Sequence, residues 1–373
     1  MQRFVLLDFV RFLLAILVAM QHFGGFAAPH KAYLAVDFFF ILSGFVLCHA
    51  YVARAASPNF FRSYLTDRLA RLYPLHLLML VILVPINILF FWSTGGQFLE
   101  SGWSYQDGRI YTFILNLVLL QNVGLTTHGS WNAPSWSISV EMVVNIALAG
   151  VITAVAKDRR VWQWLLVISL CSYAILMVEF GSLVTIYDRA FGVLNTGLLR
   201  GIGGISLGAI AYQVHEAIVP ANRTRHLTIL STACAIAVLA IMVASTQPSM
   251  IDFVAVPAMF IFIVSTSAVE AARPIQKGHV RTAMEAAGAL SYAIYLCHWP
   301  ILTFARYQLS YAWGWKIDFG SPFVLLAFLA TVLISASLCY PFFERPAKST
   351  IRRVLAPQRA SPTPPESLSR SKR

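Results

Sequence analysis

Residues 4–24 read FVLLDFVRFLLAILVAMQHFG, and this stretch decides the fold. At about 1.5 Å per residue it is long enough to carry a helix across a hydrocarbon core about 30 Å thick. A cleaved secretory signal has an uncharged apolar core. Here Asp8 and Arg11 sit inside the apolar run, so the segment is expected to remain as a helix. Nine more segments of similar character follow, at 33–53, 73–93, 134–156, 162–180, 190–213, 227–246, 251–270, 286–307 and 322–343. A shorter apolar run at 110–122 reads as a re-entrant or interfacial helix, or as an eleventh crossing. The expected fold is all-α, a polytopic transmembrane helix bundle of about ten spans.

Composition points to the same solvent. The chain has 373 residues, 58% of them hydrophobic and only 12% charged, with a mean hydropathy of +0.68. An ordinary soluble domain is about 25% charged. A soluble globular enzyme, a disordered chain and a disulfide-stapled secreted module are thereby excluded. The five cysteines, Cys48, Cys171, Cys234, Cys297 and Cys339, form no CxxC pair and no Cys/His ligand spacing. They are expected to be small buried hydrophobes, with no metal site.

The net charge of +12 is concentrated at one end: from Arg345 onward there are eight basic residues and one acid, Glu366. Anionic headgroups and topology control explain that tail better than nucleic acid does. With the N-terminus inside, 21 Lys and Arg residues fall on the inner side and five outside: Lys31, Arg109, Arg189, Arg306 and Lys316. Both termini are therefore expected in the cytoplasm. An eleventh crossing would put the later loops on the wrong side. Residues 1–350 are read as one transmembrane domain. Residues 351–373 are read as a basic cytoplasmic tail, disordered where Pro, Ser and Arg dominate.

An ionisable side chain within the bilayer costs roughly 2.5–3.5 kcal/mol on insertion scales and usually faces a cavity or a partner. Arg11 and His22 are eleven residues apart, which places them on one face of the first helix, roughly 16 Å apart along its axis. Asp8, three residues before Arg11, can pair with it. His22 is either a rim histidine or a base. Asp37, at the same level on the second span, is either a helix-end charge or a carboxylate that orients the imidazole. Ser43-Gly44 allows close helix approach. Arg68 and Arg71 lie one turn apart in an inner loop. They suit a bidentate grip on phosphate or, alternatively, a topology signal. Arg62 is a weaker third. The fourth span opens with Ser137, Ser139 and Glu141, and a lone carboxylate such as Glu141 is hard to justify in lipid. In the ninth span His298 precedes Trp299-Pro300, and Pro300 frees the carbonyl of Leu296. All these groups are expected to meet in one wet crevice.

In order and spacing these stretches resemble the acyltransferase 3 family of membrane acyltransferases. The elements are Leu7-Asp8 to Arg11 and His22, then Val36-Asp37 through Ser43-Gly44-Phe45, and Arg68-x-x-Arg71-x-Tyr73-Pro74. Trp136-Ser137-x-Ser139-x-Glu141, Leu290-Ser291-Tyr292 with His298-Trp299-Pro300, and Glu344-Arg345-Pro346 complete the set. Val10 and Met142 depart from the common pattern, the latter leaving Glu141 as the one carboxylate of its motif.

The resemblance implies transfer of an acyl group, commonly acetyl, from acyl-CoA (acetyl-CoA) to a hydroxyl of a cell-surface or exported carbohydrate or glycolipid. On that basis His22, with Asp37 and Glu141, is the expected catalytic group. Arg11, Arg68 and Arg71 are expected to hold the donor, and Ser137, Ser139 and His298 are further candidates. The expected setting is the bacterial inner (plasma) membrane, alongside other glycan-assembly proteins and with no permanently bound cofactor. The competing possibility is a glycan transporter or flippase without transfer chemistry, which ten spans and a Pro-broken helix would also suit.

Overall fold

The computed structural model describes residues 3–24, 29–97, 108–155, 157–219, 224–244 and 247–355. The helices are α1 (Val5–Phe23), α2 (Ala35–Tyr51), α3 (Phe60–Ser93), α4 (Arg109–Leu117), α5 (Trp136–Val155) and α6 (Val161–Phe180). They continue with α7 (Thr196–Ile218), α8 (Thr224–Ala244), α9 (Asp252–Ala272), α10 (His279–Thr303), α11 (Pro322–Cys339) and α12 (Arg345–Leu355). The strand content of the described residues is one two-residue antiparallel pair, Arg189–Ala190 with Leu194–Asn195.

The protein is thus a helical bundle. Eight helices, α1, α2, α3, α5, α6, α8, α9 and α11, are long and apolar enough to cross a membrane. The other two long ones are less apolar: α7 carries five glycines and Arg200, and α10 opens with His279, Arg281 and Glu285. Each of these ten helices overlaps one of the ten segments read from sequence.

Helix ends follow local chemistry. Gly24, at φ 77°, stops α1 in a conformation that favours glycine. Asn195 caps α7 by accepting from Leu198 N at 2.8 Å. The first amides of α1 are satisfied from another helix: Val5 N and Leu6 N donate to the carboxylate of Glu270 on α9, at 2.6 and 3.2 Å.

Two crossings orient the bundle. Along α1 and α10, Arg11 meets Ser291 and His22 meets His298, so the pair is parallel. Along α2 and α7, Asp37 meets Arg200 and His49 lies 6.1 Å from His215, again parallel. These directions are what alternating crossings require when α4 does not cross. At nine residues, about 14 Å, α4 is too short to do so. The α2–α7 contact is backbone-close. A Cβ on Gly44 would collide with the carbonyl of Ile205, and one on Gly208 with that of Ile41.

Two apolar clusters fill the interior. One joins α1, α2, α9, α10 and α11 through residues such as Val18, Leu42, Met259 and Leu296. The other joins α2, α5 and α7 through Phe40, Val140 and Ile205. Cys48, Cys234 and Cys297 are buried as expected. Cys171 is exposed on α6, on a surface that a bilayer would cover.

Two segments differ from expectation. The supposed inner loop before the third span is helical, because α3 runs unbroken for 34 residues through Pro74 and Pro85. At about 51 Å it exceeds the hydrocarbon thickness, and its first turns project beyond it. The start of the expected tail, 351–355, belongs to α12; residues 356–373 lie outside the described residues.

Candidate active site

A cavity of about 440 Å³ lies inside the bundle between α1, α2, α3, α5 and α10. Five cationic side chains line it, Arg3, Arg11, Arg68, Arg71 and Lys348, against two acidic ones, Asp8 and Glu141. Arg3 marks its basic end. Phe39, Ser137 and Tyr295 close the other. Arg11, Arg68, Arg71, Ser137 and Glu141 are therefore brought together as the sequence predicted. Arg62 is exposed and lies outside the lining.

Each polar wall residue is held by its neighbours. Asp8 accepts from Arg3 Nε at 2.7 Å and from Arg11 Nη1 at 3.2 Å, and Arg11 Nη2 donates to Ser291 Oγ at 3.0 Å. Arg71 pairs with Glu344 at 3.1 Å, and its guanidinium lies 5.3 Å from the Tyr292 ring. Arg68 sits about equidistant from the Tyr51 and Tyr64 rings, at 5.9 and 6.0 Å. Its Nε is buried and makes no hydrogen bond, a cation with unused donor capacity. Glu141 accepts from Ser43 Oγ at 2.7 Å. Tyr295 donates to Pro134 O at 2.7 Å, so Ser137 Oγ, 2.9 Å away, is the donor to the phenol oxygen.

Beyond Tyr295 lies the histidine. His298 is 6.0 Å from the Tyr295 ring and stacks on His22 with ring centroids 5.0 Å apart. His22 Nδ1 is 3.0 Å from Val18 O and 3.2 Å from His298 Nε2. His298 Nδ1 is 3.3 Å from Ile294 O. The carbonyls can only accept, so the network assigns the proton to Nδ1 on both rings. His298 Nε2 then accepts from His22, and His22 Nε2 carries a lone pair with no partner among the described residues. Trp299 packs edge-on to His22 at 5.5 Å.

This geometry corrects four expectations. Asp37 does not orient His22. It is fully buried against Arg200, with oxygens at 2.5 and 3.3 Å, and Tyr173 donates to it at 3.4 Å. Glu141 faces the cavity rather than His22, and the group that supports His22 is His298. Ser139 does not reach the cavity either: it donates to Leu119 O at 2.8 Å and accepts from Asn122 N. Nor do all the groups share one crevice: Arg11 stands with the other cations, and neither His22 nor His298 lines the cavity.

The carbonyl that Pro300 frees is used. The Leu296 carbonyl that Pro300 cannot satisfy accepts from Asn132 Nδ2 at 3.1 Å, and Trp299 Nε1 donates to Trp131 O at 2.9 Å. The loop before α5 is thereby bolted to α10 beside the histidines. Just past α10 the chain widens into π-helical turns over Phe304–Ala312, and Arg306 donates to Phe23 O next to His22. Sequence reading missed Arg3, Tyr295 and Lys348, and it read Ser43 as a point of close approach without its partner Glu141. Arg3 and Lys348 were counted only as topology charges, and Tyr295 gave no signal beyond its place one turn before His298. Elsewhere, His49, His215 and Glu216 bring ligand atoms within 4.8 Å of one another and have the donor set to hold a divalent ion.

A multi-pass integral membrane protein with a cation-lined cavity inside its helical bundle is the class that fold and site define. Within that class the chain belongs to the acyltransferase 3 family, whose model, described as an acyltransferase domain, matches residues 4–340. It is similar to "Protein 2 in picA locus" of Rhizobium radiobacter, with 35% identity over 159 residues, covering 40% of this chain and 82% of that protein. It is also similar to acyltransferase MdmB of Streptomyces mycarofaciens, with 25% identity over 359 residues, covering 86% of this chain and 82% of that one. No solved structure matches it significantly.

Proposed function

We propose that this acyltransferase moves an acyl group, most simply acetyl, from acyl-CoA to a hydroxyl of a cell-surface or secreted carbohydrate. The observation that supports the reading is an alignment: five cations line one cavity, and the Tyr295 ring that closes its far end lies 6.0 Å from His298, the partner of His22. Coenzyme A has the matching layout, with phosphates at one end, a long arm, and a thioester at the other. By the positive-inside rule the basic end faces the cytoplasm, where the donor is made, and the histidines face the outer half. Both similar proteins come from bacteria, which supports a bacterial plasma membrane.

Arg68, Arg71 and Arg11 hold the phosphates. The arm runs between α2, α5 and α10, where Glu141 accepts from one of its N–H or O–H groups. Arg11 and His22 stand about 16 Å apart along α1, a distance an extended arm spans. With Tyr295 turned aside, the thioester carbonyl reaches His22. The acceptor hydroxyl gives its proton to His22 Nε2 as its oxygen attacks that carbonyl. The C–O bond forms, the C–S bond breaks, and the leaving thiolate takes the proton from the imidazolium. His298 accepts from His22 Nδ1–H throughout. It fixes the tautomer and disperses the positive charge, the part an aspartate plays in a serine-hydrolase triad.

The test is transfer of isotope-labelled acetyl from acetyl-CoA, supplied on the cytoplasmic side of sealed membranes containing glycan acceptors. Label on carbohydrate is the expected result. Passage of glycan without label would make the protein a transporter.

A further inference from the structure

The main cavity has a neighbour. A second cavity of about 460 Å³ lies where α12 covers the basic end of α3, and the two share Arg71, Tyr340 and Lys348 in their walls. Its charged lining is four cations, Arg71, Arg345, Lys348 and Arg352, and one acid, Glu344. α12 continues α11 through the π-helical turn Tyr340–Glu344 and has no buried residue of its own. It is pinned to α3 by Arg352 Nε on Asp67 Oδ1 at 2.6 Å, and Asp67 is held in turn by Tyr51 at 2.5 Å. Glu344 shows the site to be incomplete. Its Oε1 takes Arg71 at 3.1 Å, while Oε2 is buried and makes no hydrogen bond. An orphaned carboxylate oxygen among cations lacks a donor, and two of the four cations, Arg345 and Lys348, have no ion pair among the described residues, Arg71 and Arg352 being held by Glu344 and Asp67. A ligand that offers both a phosphate and an N–H or O–H group would satisfy the two needs together.

Resting on the donor reading above, we propose that this second cavity seats the nucleotide end of coenzyme A. Arg345, Lys348 and Arg352 surround the 3′-phosphate, and Glu344 Oε2 accepts from a ribose hydroxyl or the adenine amino group. Arg71 and Lys348, common to both cavities, lie where the pyrophosphate must pass from one to the other. The C-terminal helix is then a wall of the donor site as well as a basic membrane-surface segment. An anionic lipid headgroup has similar phosphate chemistry, and the experiment separates the two sources.

Purified protein in zwitterionic-lipid nanodiscs is assayed with acetyl-CoA and with acetyl-3′-dephospho-CoA. The unmodified protein is expected to show a KM about 10–100-fold higher for the dephospho donor, the range of one charge-assisted contact. In Arg345→Ala, and independently in Lys348→Gln, the ratio of the two KM values is expected to fall toward one, with kcat for acetyl-CoA retained. A merely structural role would move both KM values together and leave the ratio intact, which would overturn the proposal. So would equal KM values in the unmodified protein, a comparison that needs no variant. A KM that depends on added phosphatidylglycerol and not on the 3′-phosphate would assign the cavity to lipid. If neither thioester donates acetyl, the donor reading itself fails, and this result is distinct from loss of discrimination between two working donors.

Discussion

His22 and His298 contact each other across α1 and α10, and the tautomers they adopt leave one imidazole lone pair facing away from the pair. Removing a general base typically costs about 10²–10⁴-fold. His22→Ala is therefore expected to lose transfer by that factor while the protein remains monodisperse in detergent. His298→Ala removes the support and leaves the base, so its kcat falls less and KM for the donor is retained. Equal losses in the two variants with raised KM would mean that both rings bind rather than catalyse. Glu141→Gln leaves Ser43 hydrogen-bonded but removes a charge-assisted acceptor from the cavity wall. A lower turnover with an unchanged thermal transition is expected, and a lowered transition temperature would make Glu141 structural.

At this scale the sequence told much about which charged residues line the cavity and less about which partner each takes. Arg11, Arg68, Arg71 and Glu141 were legible because a charge within or beside an apolar span is costly. The pairings were not, because Asp37 finds Arg200 from 163 positions away, and nothing in either local stretch encodes that meeting.

The elements carry the site through a few close joints. Gly208 lets α7 touch the backbone of α2, and this crossing aligns Arg200 with Asp37. Gly208→Val forces the helices apart, and overpacking of this kind costs about 1–3 kcal/mol or more. A lower thermal transition in detergent and weaker donor binding are expected, while Gly150→Val, where nothing lies within 4 Å, leaves both unchanged. Asn132→Ala would leave the Leu296 carbonyl without its side-chain donor, a loss of roughly 1–3 kcal/mol. Hydrogen exchange confined to the loop before α5 and the Pro300 turn would report it.

Helix positions were readable from apolar length, and the consequence of Pro300 followed from the chemistry of proline. The continuity of α3 was not readable. Its first turns carry arginines at a spacing that serves equally for a surface loop and for a helix projecting past the bilayer. Only the packing of α12 along that face decides it.

Over the whole molecule, parallel pairs α1–α10 and α2–α7 bring the ends of the sequence together around one cavity. Arg3 from the first residues and Lys348 from the last helix line the same space. If the basic end is cytoplasmic, a cysteine placed at Ser349 in otherwise cysteine-free protein should react with an impermeant maleimide only after the membrane is opened to the cytoplasmic side. A cysteine at Lys316 should react from outside. The reverse pattern would invert the topology. The 21-to-5 bias of basic residues in the sequence is what predicts this orientation. It did not show that Arg3 and Lys348 among those charges also line the cavity.

That the first and last described helices border one chamber has a consequence for biogenesis. With the donor site proposed above, a ribosome would have to finish nearly the whole chain before the donor had anywhere to dock, and partly made protein already threaded into the bilayer would stay inert. A premature stop shortly before Arg345 would give a protein that inserts and resists extraction yet never turns over, and early translation errors would be silent in activity while still occupying membrane.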